Sequence, residues 1–206
     1  AINSFYGYKY AGIWSTAEAE EAAKYGSEPG LIKVETIEKD GDGGVHPYGT
    51  DDRMVLGHSN PNWVLGFTNN FTYKGFDLSI HTMARLGQMI QSDMLSRYTA
   101  SDDITVNQIA GTDYWTENNQ GAYFPRPGSA KKQSAYYSAL TFVDGSFFKI
   151  KNITLGYTLP TSLVKKAFME RVRFYATAYN PVIFCKSILK DTDPETGGSD
   201  AFPTYR

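Results

Sequence analysis

A single cysteine, Cys185, in a chain of 206 residues excludes an intrachain disulfide, and with no second thiol a structural zinc site, which takes four ligands, loses its usual donors. Cys185 reads as a small apolar residue. Apolar runs of about 18 residues are also missing, which excludes a transmembrane helix. A barrel strand is not excluded by that, because its lipid-facing positions alternate with polar ones and average out in hydropathy. Charge of one sign is lacking too. Lys and Arg number 20 against 22 Asp and Glu, the net charge is −2, and the cations are scattered, so no polyanion-binding face is expected and nucleic acid is excluded as a partner. Catalytic patterns are missing as well: there is no nucleophile elbow, no His-Glu-x-x-His and no phosphate-cradling glycine loop, and His46, His58 and His81 lie far apart. Asp51/Asp52 and Asp102/Asp103 offer paired carboxylates to a glycosidase, but adjacent acids in Gly- and Ser-rich turns read as solvated, and the chain is not expected to be an enzyme.

What is present points to strands. Aromatics reach 15%, with 15 Tyr and 19 Gly, a profile of strands, turns and interface-seeking rings. The clearest pattern is a hairpin. Trp63, Leu65, Phe67, Phe71 and Tyr73 alternate with polar or small residues, Asn69 being the one break in the row. Lys74-Gly75 supplies a two-residue turn, and Phe76, Leu78, Ile80, Thr82, Ala84 and Leu86 then alternate with Asp77, Ser79, His81, Met83 and Arg85. The aromatics Phe71, Tyr73 and Phe76 gather at the turn, as at a membrane–water interface. A third strand over Phe147–Thr158 changes phase: Phe148 and Ile150 have one parity, Ile153, Leu155 and Tyr157 the other, so a β-bulge near Lys151-Asn152 is needed to give one apolar face. A fourth, Val172 to Asn180, is expected to break at Asn180-Pro181. Ser15-Thr16-Ala17-Glu18 fits a capping box opening a short helix that Gly26 stops, and Thr161-Ser162 caps another. Residues 91–136 show no period, which in a barrel suits a long extracellular loop.

Asp144 through Pro160, with Val172-Arg173-Phe174-Tyr175 and Asn180, resembles the C-terminal barrel of SusC/RagA-type TonB-dependent transporters. Gly12-Ile13-Trp14, Pro29-Gly30, Asp52-Arg53, Gly57-His58-Ser59-Asn60-Pro61, Tyr73 through Leu78 and Asp193-Pro194-Glu195 stand in the same order as in that family, so the resemblance covers nearly the whole chain. It implies an all-β fold: a partial antiparallel transmembrane β-barrel, cut from a 22-stranded barrel, with long extracellular loops. It also implies a location in the outer membrane of a Gram-negative bacterium, outer-membrane lipid around the wall, a SusD-like surface lipoprotein as partner, TonB as the source of drive, and oligosaccharides or peptides as cargo. The expected division is residues 1–60 as an extracellular loop region with a short helix and an acidic Gly-rich turn, and residues 61–206 as barrel strands with their loops. The first residues carry neither a basic nor an apolar signal region, and the family's N-terminal plug has no room in 206 residues. The chain is therefore expected to be a fragment, unable to transport alone, followed in its parent by about ten alternating residues ending in an aromatic. A soluble cell-surface β-sandwich that binds glycans or serves adhesion is the alternative.

Three groups of residues carry candidate sites. Tyr114, Trp115, Tyr123 and Phe124 stack on sugar faces or else pack within their loop. His81 and Arg85 share the polar face of their strand and point to the lumen. Glu38, Asp40 and Asp42 in Glu38-Lys39-Asp40-Gly41-Asp42-Gly43 match the first half of a calcium loop, whose twelfth position falls on Gly49, so a solvated acidic turn is an equal account.

Overall fold

A computed structural model describes residues 3–39, 41–92, 95, 111–129, 135–165, 168–189 and 193–196. The chain forms two compact units: one gathers Ala1–Asn60 and Met89–Asp144, the other Pro61–Gln88 and Gly145–Pro194.

The second unit is one antiparallel sheet. Its strands are β5 (Trp63–Tyr73), β6 (Phe76–Leu86), β9 (Phe147–Thr158) and β10 (Arg173–Cys185), in the order β10-β9-β6-β5. Lys74 and Gly75 both have positive φ, 46° and 87°, the requirement of the tight turn whose twist matches a hairpin. Gly75 has a second reason to be glycine, since a Cβ there would lie 2.9 Å from the Thr158 carbonyl oxygen. Thr161–Val164 forms a helical turn, α2, in the connection from β9 to β10, with Pro160 rather than Thr161 at its N-cap.

Register puts every alternating apolar residue on one face. Across the four strands, Phe71, Leu78, Leu155 and Ala176 stand in one row and Leu65, Ala84, Phe148 and Phe184 in another. Among the described residues no second layer covers this face: Phe67, Phe71, Leu155 and Phe174 are all more than half exposed. A soluble sandwich would bury such a face against a second sheet. The phase change in β9 resolves as anticipated. Asn152 pairs with His81 and Ile150 with Thr82, neighbours on β6, so Lys151 is the extra residue of a bulge. The fourth strand departs from the sequence reading. Asn180-Pro181 does not end it; β10 runs on to Cys185, and both residues sit in a wider bulge between Tyr179 and Val182, with Asn180 at φ 48°. Proline is tolerated there because a bulged residue owes the ladder no N–H.

The first unit is assembled from short antiparallel ribbons: β1 (Ser4–Gly7) with β4 (Met54–His58), β2 (Tyr10–Ile13) with β3 (Ile32–Val34), and β7 (Met89–Gln91) with β8 (Phe142–Asp144). Glu18 accepts hydrogen bonds from the Ser15 N–H and hydroxyl, which starts a 3₁₀ turn leading into α1 (Ala19–Lys24). Gly26 ends α1 at φ 67°, with its N–H donating to Ala23 and the Ser27 N–H to Ala22, the paired bonds of a Schellman stop. Trp14, Ile32 and Leu140 are fully buried in this unit, so segments read as loops from sequence have a core of their own.

Candidate functional site

The sheet's other face is polar and graded along its length. At the hairpin-turn end, Arg173 reaches from β10 across β9 to Asp77 on β6, Nε donating to Oδ1 at 3.0 Å. It passes over Gly156, where any Cβ would come within 2.6 Å of the Asp77 carboxylate. Gly156 is thus glycine for clearance rather than for its dihedral angles. The middle rows hold no carboxylate, lysine or arginine: Thr68, His81, Asn152 and Tyr179 stand abreast, then Asn70, Ser79, Thr154 and Thr177. Thr68 Oγ1 lies 2.8 Å from His81 Nδ1, and the Thr154 and Thr177 hydroxyls are 2.9 Å apart. Toward the far end Lys149, 3% exposed, donates to Asp193 Oδ2 at 2.5 Å, tying the segment after β10 to the polar face. Arg85 stands at that end, half-buried, its Nε shielded and without a hydrogen bond.

Aromatic residues bound the apolar face at both ends. Tyr73, Phe76, Tyr157 and Phe174 form one row at the turn end, with the Phe76 and Tyr157 rings 4.4 Å apart. Trp63, Phe148 and Phe184 mark the other end, the last two 6.1 Å apart. From Trp63 to Tyr73 is about 33 Å along the strand at a rise of about 3.3 Å per residue, or about 25 Å at a tilt of about 40°, the height of the apolar band of an outer-membrane barrel.

Of the residues singled out from sequence, His81 and Arg85 do lie on the polar face. The loop aromatics belong instead to the core of the first unit. Trp115 and Phe124 are buried, Tyr114 packs on Phe124 at 6.2 Å, and the Tyr123 hydroxyl donates to the Leu140 carbonyl oxygen at 3.2 Å. The sequence reading named no polar-face aromatics, yet Tyr175 and Tyr179 stand there, 68% and 76% exposed. Their signal was available, since both alternate with Phe174, Ala176 and Ala178.

The acidic turn is organised around a histidine. His46 bridges two carboxylates, with Nδ1 2.6 Å from Asp42 Oδ2 and Nε2 2.9 Å from the fully buried Asp52 Oδ1. Asp42 Oδ1 also accepts the N–H groups of Lys39 and Gly44. Glu38 is exposed, Asp40 lies outside the described residues, and among the described residues no three acidic, His or Cys side chains converge on a metal position.

Only a doubly protonated imidazole can donate to both ionised carboxylates. The hydrogen bond to Asp52 is the chief reason the His46 pKa is raised. Burial pushes the Asp52 carboxyl up, but the Gly49 N–H, His46 and the Ile37 N–H together hold it below its ordinary value. Asp42 is lowered mainly by the N–H groups of Lys39 and Gly44. The contribution of His46 is therefore complete below its ordinary value and lost as pH rises through the raised one; those of the aspartates are present above the ordinary carboxylate value and lost as pH falls through the lowered ones. Amide exchange at Gly44 and Gly49 is expected to be slowest between these limits, after correction for intrinsic rates. His46→Ala should remove the alkaline limb of that dependence alone; an unchanged profile would refute the clasp.

No family model matches the chain. Curated relatives do: it is 29% identical over 199 residues, 95% of its length, to TonB-dependent receptor P3 of Formosa agariphila, covering 19% of that protein. It is 27% identical over 209 residues, 100% of its length, to TonB-dependent receptor SusC of Bacteroides thetaiotaomicron, covering 18%. Among solved structures, the RagAB peptide importer in its open-open state superposes with a TM-score of 0.68 at 23% identity, over 95% of this chain and 20% of that one. The closed-closed state gives 0.67 at 22%, with the same coverage. The chain thus spans about a fifth of the length of the relatives it matches.

A four-stranded wall with one apolar and one polar face, matched along its length to these receptors, has the fold of a section of an antiparallel β-barrel like theirs. Its sequence is similar to that of SusC, and its fold to that of the RagAB importer.

Proposed function

We propose that this chain is part of an outer-membrane importer driven through TonB, with its apolar face against lipid and its polar face lining the passage. The observation that carries this is the single register that sorts four strands into two chemically opposite faces, with aromatic rows at the two borders of the apolar one. The Lys74-Gly75 turn and the β9–β10 connection are then periplasmic, short as barrel turns on that side are. The first unit is extracellular, available to a SusD-like surface lipoprotein and to cargo. That cargo is an oligosaccharide or a peptide; one relative of known structure is a peptide importer, and the uncharged hydroxyl and amide rows around His81 suit either. Drive from TonB enters through parts of the receptor outside these residues.

In cells producing the full-length receptor, Asn152→Trp combined with His81→Trp narrows the passage at mid-height. Uptake of fluorescently labelled maltoheptaose, xylohexaose and a mixed decapeptide pool should require the receptor and TonB for at least one probe. The double variant should cut that uptake about tenfold or more while surface abundance is unchanged. Uptake of every probe at wild-type rate without the receptor, or through the double variant, would overturn the reading.

A further inference from the structure

The connection from β9 to β10 presents large apolar side chains to its surroundings: Leu163 is 55% exposed, Met169 47% and Phe168 completely. Val164 is buried beside them, and α2 closes with the Met169 N–H donating to the Val164 carbonyl oxygen at 3.1 Å and the Phe168 N–H to that of Lys165 at 3.2 Å, the paired bonds of a Schellman stop. That stop holds Phe168 at φ 57°, a left-handed position that glycine adopts freely and that strains a bulky residue. Phe168 therefore keeps an unfavourable backbone and displays its whole ring. In water neither feature has a compensation; against an apolar surrounding the ring has one.

Register gives the depth of this connection. The Leu159 N–H donates to the Val172 carbonyl oxygen at 3.0 Å, and these two residues share the parity of Tyr157 and Phe174, so the apolar face extends one row past its aromatic border. Two residues at about 3.3 Å each and a tilt of about 40° carry the chain about 5 Å beyond that border. The headgroup layer on each side of a bilayer is about 5–7 Å thick. The connection thus leaves the wall inside that layer. Its charges match phosphodiesters. The hairpin turn lies alongside, with the Thr158 N–H donating to the Gly75 carbonyl oxygen at 2.8 Å, and Lys74 Nζ sits 5.2 Å from the centroid of the apolar-face ring of Tyr73, on the lipid side of the turn. Lys165 is exposed and makes no ion pair among the described residues, and Glu170 is the one acid between Leu159 and Val172. Apolar side chains flanked by lysines are the composition of a segment lying in a membrane interface.

We propose that the β9–β10 connection is seated in the headgroup layer of the periplasmic leaflet, with Leu163 and Phe168 entering the acyl boundary and Lys74 and Lys165 meeting lipid phosphates. This rests on the importer reading for the side of the sheet that faces lipid, and adds to it a membrane contact beyond the barrel wall. Placing the Phe168 ring in lipid offsets its left-handed backbone.

The test uses full-length receptor reconstituted in vesicles of phosphatidylethanolamine and phosphatidylglycerol. Spin labels placed singly at Leu155, Leu163 and Phe168 are read by their collision rates with oxygen and with a water-soluble nickel chelate. Leu155 should show the oxygen-rich ratio of hydrocarbon, and Leu163 and Phe168 ratios several-fold more oxygen-rich than a label in water. Water-like ratios at Leu163 and Phe168 beside an oxygen-rich Leu155, or labels there shielded from both reagents as beneath a protein partner, would overturn the proposal and leave the wall standing. A water-like Leu155 would remove the importer reading and this proposal with it. Phe168→Asn needs no label. Asparagine accepts the left-handed backbone, so a turn in water would gain or keep stability, whereas a lipid-seated turn should lose several-fold in the folding equilibrium measured in vesicles and urea, with Phe168→Trp retaining it. An equilibrium unchanged or raised in Phe168→Asn would likewise overturn the proposal.

Discussion

Ile80→Arg in the full-length receptor is expected to abolish recovery of folded barrel, while Ser79→Arg, one residue away, leaves it nearly intact. Ile80 stands at the middle of β6 between Asn69 and Ile153 in the apolar row, four residues from the aromatic border at Phe76. An arginine on the lipid face at that depth costs about 2–4 kcal/mol, a large part of the roughly 5–15 kcal/mol by which a native fold is preferred. Ser79 has the opposite parity, among Asn70 and Thr154, where a guanidinium meets polar neighbours. Heat-modifiable migration of membrane-extracted receptor, with refolding into lipid vesicles in urea, measures both. Equal loss in the two variants would show that the faces are not distinguished as described.

Single-residue deletions should divide even more sharply. β6 pairs on both sides without a spare residue, so deleting Ser79 reverses the parity of one end of the strand against β5 and β9. Phe76 and Leu78 would turn to the passage and Asp77 to lipid. Two misplaced apolar side chains at about 1.5–3 kcal/mol each, together with a carboxylate in hydrocarbon, suffice to lose the fold. Deleting Lys151 should be survived, because Ile150 and Asn152 already face adjacent residues of β6 and keep their faces once the bulge is gone. The cost is local, in ladder bonds toward the Asn180-Pro181 bulge of β10, at about 1 kcal/mol per hydrogen bond. The same migration assay reads the contrast; failure of both deletions would deny Lys151 its role as the extra residue.

The wall was legible in the sequence because its determinants are local and periodic. Alternation from Trp63 to Leu86 about Lys74-Gly75 sets strands, turn and faces together, and the parity slip between Ile150 and Ile153 announces the bulge without any partner strand. The far half of β10 was hidden because Pro181 signals a strand end unless the partner's register is known, and that register lies on β9. The first unit was hidden for a different reason. Its short ribbons join distant segments, as where the Gly30 N–H donates to Trp14 O and the Arg126 N–H to Gly30 O, and nothing local marks such pairings. Without them Trp115 and Phe124 look like exposed loop aromatics. The same gap concealed the His46 clasp, since Asp52 becomes a partner of His46 only once the turn is folded.

The central claim is that the two faces of one sheet meet lipid and water. Spin labels placed one at a time from Phe147 to Tyr157 in the full-length receptor, reconstituted in vesicles, test it through their collision rates with oxygen and with a water-soluble nickel chelate. The account predicts alternating oxygen and nickel accessibility, oxygen highest at Phe148, Ile150, Ile153 and Leu155, with the period slipping by one residue at Lys151. Uniform accessibility along the strand, or alternation that keeps its phase through Lys151, would contradict it.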